Sequence, residues 1–344
     1  MSEALLQVEG LEFVYHTSEG PLPALHDLNL SVRAGETLGI VGESGCGKST
    51  LGAALMGLLP PNGEITGGKI VYEGRDLRRL NQEGMRRLRG SELAMIFQDP
   101  LTSLNPTFTI GTLMRDVQRA HLSRRVSDSE LRKRALEMLE RVGMPDAEER
   151  LDSYPHEFSG GMRQRIMIAV ALMLRPALLI ADEATTALDV TLEAQILHLL
   201  KDLCAERGTA VLFISHDLGV VSQICDRVLV MYAGRAVEEA DVYSLFDNPL
   251  HPYTRALLAS VPTRKHRGER LVTIPGRVPS LSAMPEGCKF AARCPYVQQV
   301  NRESEPRYIE LAGHRVRCNI YDLESGYVGA RAEPRPPSEK EAEA

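Results

Sequence analysis

An apolar run, Thr37 to Val41, leads straight into Gly42-Glu-Ser-Gly-Cys-Gly-Lys48-Ser49, and this juxtaposition limits what the chain can fold into more than any other feature. The eight residues fit G-x-x-x-x-G-K-[ST], a turn whose backbone N–H groups, backed by a helix N-terminus, surround a phosphate chain. Side chains must stay out of such a cradle. Glycines at 42, 45 and 47 meet that need, and Ser44, Cys46 and Thr50 are placed with them at the nucleotide, Cys46 as a small filler. Lys48 is expected to bring positive charge to the outer phosphates, and the Ser49 hydroxyl to hold Mg²⁺. Chance produces this pattern in on the order of one percent or less of chains this long.

The surrounding chain suits a nucleotide fold. LLQV, EFVY, LNLSV and TLGIV read as strands, as do Lys69 to Tyr72 and Leu93 to Phe97. From Thr107 to about Tyr154 the strand signals vanish. Leu131, Ala135, Met138, Leu139 and Val142 recur at helical spacing, with Ser127 or Asp128 as N-cap and Gly143 past the end. After Gly161 helices alternate with the strands LLIA, AVLFI and RVLVMY, the pattern of a parallel α/β sheet whose ligands sit at the carboxyl ends of its strands. The predicted organisation is a nucleotide-binding domain over 1–247 with a helical insert at about 99–175, a loop-rich extension over 248–330, and a disordered tail over 331–344.

Composition narrows the function. Lys+Arg 40 against Asp+Glu 46 gives a net charge of -6 over 344 residues, which leaves no bulk basic field for nucleic acid. The longest apolar stretch, Ile166 to Leu174, falls short of the ~18 residues that span a bilayer. MSEALLQVEG has no signal-peptide pattern, so a chain that is neither secreted nor membrane-spanning is expected.

Two carboxylates, Asp182 and Glu183, end the buried strand LLIADE at the edge where the phosphate loop also ends. Asp182 is the natural partner of Mg²⁺. Glu183 should point the other way along an extended chain, placed to act on an attacking water as general base. His216 follows a parallel strand, AVLFI, and should reach the same edge.

With these residues in place, the chain resembles the ATP-binding cassette (ABC) ATPases. Glu157-Phe-Ser-Gly-Gly-Met-Arg-Gln-Arg165 is similar to their signature, Ala187-Leu188-Asp189 to their dimer-contacting loop, and Gln98 after MIF to their glutamine loop. Ser215-His216-Asp217 is similar to their switch histidine, and Tyr15 stands where an aromatic stacks on adenine. The resemblance covers about Leu5 to Tyr243. It implies a P-loop NTPase (RecA-like) core with an antiparallel β subdomain and a helical subdomain, binding ATP and Mg²⁺.

It further implies that Ser159, Gly160 and Gly161 at a helix start, with Asp189, meet ATP held by a second cassette, and that Gln98 joins Ser49 and Asp182 at Mg²⁺. EFSGGMRQR, IFQDPLTSLNP and HPYTRALLASVP resemble the bacterial dipeptide and oligopeptide importers, with nickel importers close by. The implied partners are a second, related ATPase chain, two membrane permease subunits and, indirectly, an external binding protein, with the chain peripheral on the cytoplasmic face of the membrane. Alternatives are a nickel or other small-solute importer, an exporter cassette, and an ATPase acting on ribosomes or DNA.

Cys288, Cys294 and Cys318 lie in the Pro/Gly-rich extension, where the resemblance implies four clustered cysteines; Asn301 stands where the fourth is expected. Three readings stay open: an iron–sulfur cluster with a missing or non-cysteine ligand, a zinc site completed by His314, or free thiols.

Overall fold

The computed structural model describes residues 4–99, 103–122, 126–185, 189–261, 274–280 and 283–326. Its strands are β1 (Ala4–Thr17), β2 (Gly20–Arg33), β3 (Thr37–Val41), β4 (Gly63–Tyr72), β5 (Arg75–Asp76), β6 (Leu93–Ile96), β7 (Leu178–Asp182), β8 (Ala210–Ser215), β9 (Arg227–Tyr232), β10 (Arg235–Asp241), β11 (Tyr308–Leu311) and β12 (His314–Arg317). They form two sheets: a four-stranded antiparallel one, β2-β1-β4-β5, and an eight-stranded one, β11-β12-β10-β9-β3-β8-β7-β6. LLQV and EFVY belong to one strand, β1, carried past irregular pairing with β2 rather than broken by it.

In the large sheet β9, β3, β8, β7 and β6 run parallel, and β10, β12 and β11 extend it antiparallel. Successive side chains of a strand point to opposite faces. Leu179, Ala181, Val211 and Phe213 therefore join the helix Gly160–Leu172 and the helical segment before it on one face. Leu38, Ile40, Ile180, Leu212 and Ile214 turn to the other, against the helix Lys48–Leu55 and the antiparallel sheet. Each such aliphatic side chain contributes about 1.5–3 kcal/mol through burial.

Between Ile96 and Leu178 the described residues hold helices and no strand. The helix Asp128–Arg141 starts as its sequence implies, with Ser127 Oγ accepting from the Glu130 N–H at 3.3 Å. It buries Leu131, Ala135, Met138 and Leu139, and Gly143 follows in the left-handed region. No described helix is long and apolar enough to cross a membrane.

Beyond Asn248 the chain carries the helix Pro252–Ala259, then loops, then the hairpin β11–β12. The residues assigned to a disordered tail, 331–344, lie outside the described residues. The fully buried Glu238 of β10 ties this region down: its carboxylate accepts from the backbone N–H of Leu250 (2.8 Å) and His251 (2.9 Å) and pairs with His314 Nδ1 (2.8 Å). Burial alone would raise this carboxyl, but these partners outweigh it and hold it below the usual carboxylate range. Its stabilising contribution is thus present above that range and fades as pH falls through the lowered value.

Glu238→Ala would leave a buried histidine and two backbone N–H groups without their acceptor. The expected cost is about 3–5 kcal/mol of stability, read as a lowered midpoint in thermal denaturation; an unchanged midpoint would show that the network carries no stability.

Candidate functional site

β3 ends at Val41 and the chain enters the phosphate loop through Gly42, at φ 155°. A Cβ there would strike the Met231 carbonyl and the Cys46 sulfur, so only glycine fits. Gly47, at φ 103°, is the N-cap of the helix Lys48–Leu55, and an added Cβ would press on Leu25. Gly45, at φ 80°, faces open space. The loop is thus a backbone concavity at a helix N-terminus, a shape that suits a phosphate chain.

Cys46 is fully buried beneath it, and burial pushes its thiol up, which fits its reading as filler. The Lys48 ammonium is almost enclosed, donating to the carbonyls of Gly42 (2.8 Å) and Glu43 (3.2 Å).

Parallel pairing brings the other groups to this loop. Val41 pairs with Ser215, and Asp182 with Ile214, so β3, β8 and β7 finish side by side. Ser49 Oγ donates to Asp182 Oδ1 at 3.1 Å. Burial, helped by the charge of Glu183, raises the Asp182 carboxyl, while Ser49 and Lys48 act against the shift. An oxygen pair of this kind fits Mg²⁺, which takes one or two carboxylates and hydroxyls and keeps waters.

Glu183 does not continue the extended strand as its sequence suggested. Its backbone turns into the left-handed region at φ 47°, and its N–H donates to the Ile214 carbonyl at 3.0 Å. The turn brings its carboxylate to Gln98 and His216. Gln98 Nε2 donates to Oε2 at 2.6 Å, and His216 Nδ1 lies 3.3 Å from Oε1.

Tyr15 closes the other side, its hydroxyl 2.9 Å from Thr50 Oγ1 and its ring edge-on to Phe13 at 4.9 Å. Tyr15, Ser44, Gly45, Gly47, Lys48, Ser49, Thr50, Gln98, Glu183 and His216 line one cleft of about 500 Å³ with Ala24, which the sequence did not single out.

Ser159, Gly160, Gly161 and Asp189 are not in its lining. Ser159 is an exposed N-cap, Oγ accepting from the Met162 N–H at 3.4 Å. Asp189 caps the helix Val190–Arg207, accepting from the Leu192 N–H at 2.9 Å. The two starts touch, since Leu192 packs on Gly161 where a Cβ would collide. Ala187 and Leu188 lie outside the described residues.

Neither the iron–sulfur nor the zinc reading of Cys288, Cys294 and Cys318 gains support from the arrangement of the described residues. All six cysteines are free thiols, and among the described residues no three His, Cys, Asp or Glu side chains stand together as metal ligands. His314 pairs with Glu238 through Nδ1. Asn301 does stand beside Cys288, its carbonyl accepting the Cys288 N–H at 2.8 Å, but its side chain caps Gln298 at 2.7 Å. Burial pushes the Cys288 thiol up to about 11 and the Cys318 thiol up to about 12.

The ABC transporter family profile matches residues 25–186, and the profile of the oligopeptide/dipeptide transporter C-terminal region matches residues 237–300. The chain is 52% identical to the probable peptide ABC transporter ATP-binding protein y4tR of Sinorhizobium fredii, over 92% of this chain and 95% of that one. It is 50% identical to the oligopeptide transport ATP-binding protein OppD of Escherichia coli, over 94% and 95%, and 47% identical to the dipeptide transport ATP-binding protein DppD of Bacillus subtilis, over 93% and 96%.

Among solved structures, a dimeric ATP-binding cassette in a post-hydrolysis state with ADP and Pi is 28% identical, with a TM-score of 0.63 over 69% of this chain and 98% of that one. The cbiO1 protein of Clostridium perfringens is 29% identical, with a TM-score of 0.61 over 71% and 91%. On these matches the chain belongs to the ABC transporter ATP-binding proteins, and it is an ABC ATPase by family.

Proposed function

We propose that this chain hydrolyses ATP in the cleft of Lys48 and Glu183 to drive uptake of dipeptides and oligopeptides through membrane permease subunits. The observation that carries this reading is the meeting of four chain segments at one sheet edge: the phosphate loop, Asp182–Glu183, Gln98 and His216. Peptide as cargo is supported by the relatives named for peptide transport and by the matched C-terminal region.

Each residue would act through its own chemistry. Glycine-freed N–H groups and Lys48 bind the phosphates and neutralise charge that grows on the γ-phosphate oxygens. Ser49 and Asp182, with Gln98 nearby, would hold Mg²⁺, which supplies a further cation at the outer phosphates. Glu183 accepts a proton from the attacking water, oriented by Gln98 on one oxygen and His216 on the other. Tyr15 offers a ring face to the base.

The helix start at Ser159–Gly161, exposed at Ser159 and Gly160, and Asp189 would serve a second cassette, a related chain, so that ATP joins the pair and hydrolysis frees it. This is supported by their absence from the chain's own cleft and by the dimeric cassettes among the solved structures. The assembly would sit on the cytoplasmic face of the membrane with two permeases and an external binding protein.

Lys48→Ala is expected to lower affinity for a fluorescent ATP analogue at least a hundredfold in equilibrium titration; parental affinity would remove the loop from the site. Glu183→Gln should keep ATP binding, lose ATPase activity by at least a hundredfold, and accumulate ATP-bound dimers by size-exclusion chromatography. Parental turnover in this variant would refute the base assignment. Proteoliposomes with the permeases should take up labelled short peptides only with ATP, and nickel uptake in their place would overturn the cargo.

A further inference from the structure

Glu43 sits inside the phosphate loop with no part in the chemistry above, yet it is the loop's most heavily tethered residue. Both carboxylate oxygens are held by Arg293, Nη1 donating to Oε2 at 2.6 Å and Nη2 to Oε1 at 3.0 Å, from a residue 250 positions away. Its N–H donates to the Tyr253 hydroxyl at 2.9 Å. Its carbonyl accepts from Lys48 Nζ and from the Cys46 N–H, each at 3.2 Å. Two of these tethers come from the region beyond Asn248.

Arg293 is built to stay where it is. Its side chain is 3% exposed, and its remaining donors reach the Pro275 carbonyl (2.9 Å), the Ile274 carbonyl (3.4 Å) and the Tyr232 hydroxyl (3.4 Å). Its bonds thus engage every nitrogen of the fork, and a planar guanidinium fixed this way holds a carboxylate in one orientation. Tyr253 is equally fixed, fully buried against Tyr232 and Phe290 with ring centroids at 4.7 and 5.4 Å.

We propose that Arg293 and Tyr253 are positioning residues for nucleotide binding, which pin Glu43 and through it the phosphate loop and the Lys48 ammonium in the receiving shape. The inference rests on the cleft being the ATP site. A glycine-rich loop loses much backbone freedom when ordered. Pinning it beforehand removes that cost from the binding step, so loss of a pin weakens affinity and leaves turnover at saturation nearly untouched. A purely structural link between extension and cassette would change stability alone.

The test uses the full chain, a fluorescent ATP analogue and steady-state ATPase kinetics. Arg293→Gln should weaken analogue binding and raise KM for ATP about tenfold, with kcat within about twofold of the parent. Glu43→Gln should shift KM alike, and the double variant should be no worse than either single one, since both remove one interaction. Tyr253→Phe, which keeps the ring packing, should weaken binding about threefold, and Arg293→Lys should recover part of the loss.

Parental affinity in Arg293→Gln and Tyr253→Phe, or multiplied effects in the double variant, would overturn the inference while a binding parent leaves the cleft assignment standing. A parent that fails to bind the analogue would overturn both.

Discussion

Parallel hydrogen bonding among β3, β8 and β7 is the constraint on which the site depends. Because Val41 is level with Ser215 and Asp182 with Ile214, three segments far apart in sequence end at one height. Each then does something different with the backbone. The first opens into glycines at positive φ, the second delivers His216, and the third turns at Glu183 into the left-handed region. Without common register the Ser49–Asp182 bond at 3.1 Å and the Gln98–Glu183 bond at 2.6 Å could not coexist in one cleft.

The same sheet carries buried charge at its β10 flank. Glu238 and Glu239 of β10 are buried, one against His314 and two backbone N–H groups, the other against Arg227 and Arg315. Buried carboxylates are tolerable only when paired in this way. The pairing makes the extension part of the cassette's interior: Glu238 holds the start of the helix that bears Tyr253, and Tyr253 holds the phosphate loop.

Features that depend on neighbours in sequence are legible in the sequence itself. The phosphate loop follows from glycine spacing after an apolar strand, and the helix Asp128–Arg141 from its apolar stripe and serine cap. Asp182 and Glu183 were visible as strand-end carboxylates, although the turn at Glu183 was not, since alternation presumes extended backbone. β10 is not apparent in the sequence because Arg235, Glu238 and Glu239 look like a solvated face, and their partners lie on other elements. The Arg293–Glu43 pair leaves no trace in local pattern. For Cys288, Cys294 and Cys318 spacing leaves three readings open for a related reason: the burial of these thiols and the hydrogen bonds of His314 and Asn301 beside them are set by distant elements.

The hairpin β11–β12 occupies the flank of β10 that would otherwise end the large sheet. Exposed sheet margins recruit other strands, and this one would also uncover the carboxylates that His314 and Arg315 neutralise. Without this hairpin β10 would end the large sheet with unpaired backbone groups and two carboxylates short of partners, so the extension completes the sheet as well as tethering the phosphate loop.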